Sequence, residues 1–172
     1  NGTDLYIGGD FTFYTDKHIT GSPDSPIAFH VAKWNGSAWS ILGSGTNGIV
    51  NQLAVGGGNL YAAGSFTVAG GKLATRIAKW DGSSWSAIGD GLLATPWVLA
   101  VAGDNLYIGG FPKSSRGLAP LNVAKWDNSA WSALGTGMDG IVLATAVIGN
   151  DLYIGGNFTA IGGVSANRIA KW

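Results

Sequence analysis

The octapeptide Ala78-Lys79-Trp80-Asp81-Gly82-Ser83-Ser84-Trp85 sets the period of this chain. It recurs as Ala32-Lys33-Trp34-Asn35-Gly36-Ser37-Ala38-Trp39 and as Ala124-Lys125-Trp126-Asp127-Asn128-Ser129-Ala130-Trp131. A fourth copy begins at Ala170-Lys171-Trp172. Trp34, Trp80, Trp126 and Trp172 are each 46 residues apart. A fixed period of roughly 20–50 residues marks a repeat architecture, in which each unit buries its apolar face only by stacking on its neighbours.

Working outward from the octapeptide, each unit holds four short strand-like runs, here a to d. Run a is apolar, as in Val50-Asn51-Gln52-Leu53-Ala54-Val55, Val98-Leu99-Ala100-Val101 and Val142-Leu143-Ala144-Thr145-Ala146-Val147. Apolar runs this short, bounded by turn residues, suit buried strands better than helices. Gly57-Gly58, Gly103-Asp104 and Gly149-Asn150 follow, residues that tolerate positive φ and close hairpins. Run b is Leu5-Tyr6-Ile7-Gly8-Gly9 and its copies from Leu60, Leu106 and Leu152, whose glycines predict close backbone approach. Run c leads into the octapeptide, and Asn35-Gly36 or Asp81-Gly82 turns the chain into run d, such as Trp85-Ser86-Ala87-Ile88. The Trp pairs Trp34/Trp39, Trp80/Trp85 and Trp126/Trp131 bracket this turn, where they are expected to pack across strands and onto the next unit.

Four antiparallel strands per unit predict an all-β fold, a β-propeller array of four-stranded blades. Further resemblance sits in Leu152-Tyr153-Ile154-Gly155-Gly156-Asn157-Phe158-Thr159-Ala160-Ile161-Gly162-Gly163 with Ile169-Ala170-Lys171-Trp172. That phrase resembles kelch-like or WD40-like propeller repeats of large secreted or surface bacterial proteins. The resemblance spans essentially the whole chain and implies an extracellular or cell-surface location. It says little about activity, because propellers host unrelated functions.

Blade limits are expected at 1–49 (lacking run a), 50–95, 96–141 and 142–172 (lacking run d), about three and a half repeats. Closed propellers use about 4–8 blades. The expectation is therefore a segment of a larger propeller, with further blades of the same chain alongside; the alternative is an open arc that self-associates.

Composition narrows the function classes. Ten basic and ten acidic residues balance, which argues against nucleic-acid binding. No apolar run reaches the roughly 18 residues of a membrane-spanning helix, so no membrane insertion is expected. Every acid is Asp and Cys is absent, so thiolate metal sites and disulfides are excluded. Most Asp residues fall at predicted turns, where turn chemistry accounts for them. No Ser lies in a nucleophile-elbow phrase. Gly43-Ser44-Gly45-Thr46-Asn47-Gly48 and Gly135-Thr136-Gly137-Met138-Asp139-Gly140 match G-x-G-x-x-G, but a strand follows where a dinucleotide site needs a helix. Asn1-Gly2-Thr3, Asn35-Gly36-Ser37 and Asn157-Phe158-Thr159 match the glycosylation pattern, of which the second is better explained as a turn. The Lys before each Trp is read as lying along aromatic surface with its charge in water. No enzyme activity, cofactor or metal is expected.

A meander puts the uniform a–b and c–d turns at one end and the variable b–c and d–a connections at the other. Binding residues concentrate on variable loops of rigid scaffolds. The first unit carries a b–c insertion of nine residues, since Tyr6 to Trp34 spans 28 positions against 19 in the other units. It holds Tyr14, Asp16, His18 and Asp24, with His30 nearby. On the same face fall Trp97, outside the repeat phrase, and the divergent Lys113 and Arg116. Tyr14 and Trp97 as aromatic platforms, with Asp16, His18, Lys113 and Arg116 as polar contacts, form the candidate ligand site. A solvated loop and a packed Trp97 are the plainer alternative. Asp16, His18, Asp24 and His30 match no metal-binding spacing. The expected function is a non-catalytic scaffold or interaction module for a protein or glycan, with a carbohydrate-binding propeller as the alternative and a fragment of a propeller enzyme behind it.

Overall fold

The chain is described from a computed structural model covering residues 4–14, 27–110 and 123–172, the side chains of residues 13, 14, 27 and 28 excepted. Its described residues form strands and no helix. Contacts divide it into two compact units, residues 1–53 with 58–91 and residues 54–57 with 92–172.

The first unit holds two sheets. Sheet 1 is the antiparallel series β1 (Leu5–Tyr14), β2 (Ile27–Trp34) and β3 (Trp39–Ile41). Sheet 2 is ordered β4 (Val50–Gly56), β5 (Asn59–Gly64), β8 (Ile77–Trp80) and β9 (Trp85–Ala87). Between its second and third strands lies a small hairpin, β6 (Val68–Ala69) and β7 (Lys72–Leu73). The apolar alternation of Val31, Val50, Leu60 and Ala62 places them in one buried cluster with Phe66 and Trp85.

The second unit repeats the plan. Sheet 3 runs β10 (Val98–Ala102), β11 (Asn105–Gly109), β12 (Val123–Trp126) and β13 (Trp131–Ala133). Sheet 4 runs β14 (Ile141–Ile148), β15 (Asp151–Asn157) and β18 (Ile169–Lys171). Its small hairpin is β16 (Ala160–Ile161) with β17 (Val164–Ser165). Val98, Ala100, Val142, Leu152, Ile154 and Phe158 belong to its core.

The second strand of each four-stranded sheet is buried along nearly its whole length, which explains the small residues Ala62 and Ala63 between Tyr61 and Gly64. Gly64 lies so close to Ile49 O, and Gly156 to Ile141 O, that a Cβ at either position would collide with backbone. The expected close approach is therefore real at these glycines. The c–d connections are four-residue loops closed by the paired Trp residues. Gly36 and Gly82 hold φ of 98° and 100°, and Asn128 takes that left-handed place in the third copy at 74°.

The first-unit insertion differs from a simple loop. β1 continues to Tyr14, whose backbone pairs with Ile27, after a bulge between Gly8 and Thr12. Phe11-Thr12-Phe13-Tyr14 opposite Ile27-Ala28-Phe29 is rich in aromatic and β-branched residues, so the hairpin extends before the chain leaves it.

Candidate functional site

The c–d turns are chemically closed. Asp81 Oδ1 accepts from Ser83 N at 2.8 Å, Ser83 Oγ at 2.8 Å and Ser84 N at 2.8 Å. Asn35 and Asp127 make the same three contacts in their turns. The N–H donors of Ser84 and Ser83 hold the Asp81 carboxyl far below the usual carboxylate range. The Ser129 hydroxyl and the Ala130 and Ser129 N–H groups bring Asp127 down to about 2. Oδ1 acceptors engaged in this way serve turn geometry.

On the neighbouring strands, Lys33 Nζ lies 3.2 Å from Asp4 and Lys171 Nζ lies 3.1 Å from Asp151. These lysines thus find carboxylates, a partner that the expectation of a simply solvated head group did not include. The Trp pairs are tilted, with centroids 5.3 Å apart for Trp34–Trp39, 5.5 Å for Trp80–Trp85 and 5.3 Å for Trp126–Trp131.

The d–a and b–c connections carry a second device. In the first unit Asn47, from the connection after β3, accepts at Oδ1 from Thr67 N and Val68 N, each at 2.9 Å. Its Nδ2 donates to Thr67 Oγ1 at 3.0 Å, and its own N–H donates to Val68 O at 3.1 Å. Gly70 N donates to Gly45 O at 2.8 Å. The connection is therefore clasped onto the small hairpin of the sheet it enters. The second unit repeats this with Asp139, which accepts from Thr159 N at 2.8 Å, Ala160 N at 2.9 Å and the Thr159 hydroxyl. Those donors, the Thr159 hydroxyl first, lower the Asp139 carboxyl to about 2.

One connection departs from this scheme. Counting 46 residues from Asn47 reaches Leu93, and Leu93 is also 46 residues before Asp139. The Leu93 side chain carries no hydrogen-bond acceptor, and the residue is 52% exposed. Three residues later comes Pro96, which has no N–H for a sheet ladder; β10 starts only at Val98. Trp97 donates its backbone N–H to Gly109 O at 2.9 Å, while the residue as a whole stays 48% exposed.

Beside the Asn47 clasp a cavity of ≈ 400 Å³ is lined by Phe29, His30, Ser44, Gly45, Val68 and neighbours. His30 Nδ1 is 3.2 Å from Gly9 O and donates to it, with the Asp10 carboxylate 3.9 Å away. His30 has φ 62°, and Arg76 and Arg168, at the matching repeat positions, have φ 63° and 68°. Its backbone thus follows a repeat constraint. Among the described residues no group of three or more His or Asp side chains is placed to hold a metal.

Of the sequence-derived site residues, Trp97 is exposed and Tyr14 ends β1. Asp16, His18, Asp24, Lys113 and Arg116 lie outside the described residues. The clasp residues Asn47 and Asp139 were missed, although their shared position after Gly-x-Gly-x was a readable signal. No family model matches the chain, and no curated protein matches it.

Proposed function

We propose that the four sheets are blades of a β-propeller array, and that the array is a non-catalytic interaction module of an extracellular or cell-surface repeat protein. The observation that carries the reading is the exposure of Leu93 and Trp97 on the connection where Leu93 stands in the place of Asn47 and Asp139. Two connections tie their polar side chains into the scaffold through Asn47 and Asp139. The third leaves Leu93 and Trp97 about half exposed. Exposed apolar and aromatic groups on a rigid frame are what protein partners use as anchors. The uniform turns at the opposite end, whose Asn35, Asp81 and Asp127 Oδ1 atoms hold the turn N–H groups, are scaffold.

A second reading is a carbohydrate site, favoured by the exposed Trp97 indole, which offers a flat face for a sugar ring. Parallel arrays of surface proteins and glycans separate the two. Loss of a protein hit on Trp97→Ala, with the far-ultraviolet spectrum retained, supports the interaction module. A glycan hit lost on the same change supports the sugar reading, and silence on both arrays contradicts both.

A further inference from the structure

The cavity of ≈ 400 Å³ beside the Asn47 clasp lies within the first unit, and its size falls in the range of about 300–1,000 Å³ typical of ligand pockets. Its wall is tied by backbone bonds: Thr46 N donates to Phe29 O at 3.2 Å, and Gly70 N donates to Gly45 O at 2.8 Å. Two side chains on this wall depart from what the repeat needs. The place of Phe29 is taken by Thr75, Leu121 and Asn167 in the other units, and that of His30 by Arg76, Asn122 and Arg168. His30, Arg76 and Arg168 share a left-handed backbone, so the fold constrains the backbone at this position and leaves the side chain to other uses. The first unit alone sets an aromatic ring and an imidazole next to each other there.

The lining has a definite chemistry. Phe29 is 40% exposed and supplies an apolar ring. His30 Nδ1 donates to Gly9 O at 3.2 Å, and the Asp10 carboxylate stands 3.9 Å from the same nitrogen. Both neighbours keep a proton on Nδ1, so Nε2 of the neutral ring is an acceptor. Ser44 adds an exposed hydroxyl, which both gives and takes hydrogen bonds. Gly45 and Gly71 carry no side chain to fill the space. Among the described residues that line the cavity there is no Lys, Arg or Asp, so an ionic ligand finds no fixed countercharge. A neutral ring with an apolar C–H face and hydroxyls around its edge matches every one of these groups.

We propose that this cavity is a sugar-binding subsite for a single neutral pyranose ring. Phe29 is its stacking face, and His30 Nε2 and Ser44 Oγ are its hydroxyl partners. The subsite is separate from the surface around Leu93 and Trp97 and does not depend on what that surface binds.

The test titrates the isotopically labelled 172-residue chain with the methyl glycosides of glucose, galactose, mannose, fucose and N-acetylglucosamine, and with adenosine as a planar control. The expected result is saturable binding of at least one glycoside, with shifts of the Phe29, His30, Ser44 and Gly45 amides. Phe29→Thr and His30→Arg install residues that the second unit carries at these places, Thr75 and Arg76, so both suit the repeat backbone. Each should weaken binding at least about tenfold, the first by removing the stacking face and the second because arginine offers no acceptor. Trp97→Ala should leave the affinity unchanged. Saturation by none of the glycosides, or equal affinity of the two pocket variants and the wild type, overturns the proposal. So does saturation by adenosine alone. Shifts confined to the surroundings of Trp97 and lost with Trp97→Ala also overturn it, and would assign the sugar to that surface instead.

Discussion

Trp85 donates its indole N–H to the carbonyl of Leu42 across 2.7 Å, joining the last strand of sheet 2 to the end of sheet 1 through a buried hydrogen bond. The two residues are 43 positions apart, close to one repeat. A single side chain thus packs against its own sheet and holds the preceding one. Removing only the donor should separate these roles. Trp85→Phe is expected to cost about 0.5–1.5 kcal/mol, because the Leu42 carbonyl loses the indole but keeps the Gly45 N–H at 3.0 Å. Trp85→Ala should cost about 3–5 kcal/mol from the lost packing. Urea denaturation monitored by circular dichroism checks both, and unchanged stability of Trp85→Phe would mean that the hydrogen bond adds nothing.

The clasp predicts a local effect. Asn47→Ala removes the acceptor used by the N–H groups of Thr67 and Val68. The loss should be about 1 kcal/mol for these exposed bonds. Amide exchange should accelerate at Thr67 and Val68 and stay unchanged at Val31 and Ala32 in β2. Uniform acceleration across the unit would show a global role instead.

Asp139 makes a pH-dependent counterpart. Its carboxyl is lowered to about 2 by the Thr159 hydroxyl and the Ala160 and Thr159 N–H groups. An unfolded Asp titrates near 3.9. The folded state therefore binds the proton less readily, so the contribution is complete above the unfolded value and falls away as pH drops toward 2. Asp127, also at about 2, acts in the same window. Asp139→Asn keeps an acceptor, as Asn47 does in the first unit, and should flatten the acid limb of stability between about pH 4 and 2. Chemical denaturation at a series of pH values reads this directly, and an unchanged acid limb would refute the assignment.

Arg168 holds φ 68° with an exposed side chain, while its backbone N–H donates to Phe158 O at 3.0 Å and its carbonyl accepts from Gly156 N at 3.0 Å. Left-handed backbone costs a residue with a Cβ roughly 1–2 kcal/mol, and a glycine there is offset in part by its freer unfolded chain. Arg168→Gly should therefore stabilise the chain by about 0.5–1 kcal/mol. A lowered melting temperature would show that the arginine side chain matters more than its backbone strain.

Much of the fold was legible because turn chemistry is local. Gly57-Gly58, Asp81-Gly82 and the flanking Trp residues specify hairpins by themselves, and the strands between them follow. The small hairpins β6–β7 and β16–β17 were not legible, since each strand has two residues and too little alternation to read. The clasp escaped for another reason. Asn47 and Asp139 resemble ordinary turn residues, and their partners lie 20 and 21 positions away on the hairpin. The left-handed backbone at His30, Arg76 and Arg168 has no composition signal, because its cause is the sheet geometry around it. For the candidate site, Trp97 stood out by falling outside the repeat phrase, but its exposure, like that of Leu93, is a property of the folded chain.

The connection through Leu93 and Trp97 is proposed as the binding surface, with the clasped connections as scaffold. The most direct measurement compares the wild-type chain, Trp97→Ala and Asn47→Ala on the same surface-protein and glycan arrays, followed by affinity measurement on any hit. A protein hit should be weakened at least about tenfold by Trp97→Ala, a loss typical of an aromatic anchor, and left within about twofold by Asn47→Ala. Equal affinity of all three proteins for the hit, or a loss with Asn47→Ala and none with Trp97→Ala, would contradict it.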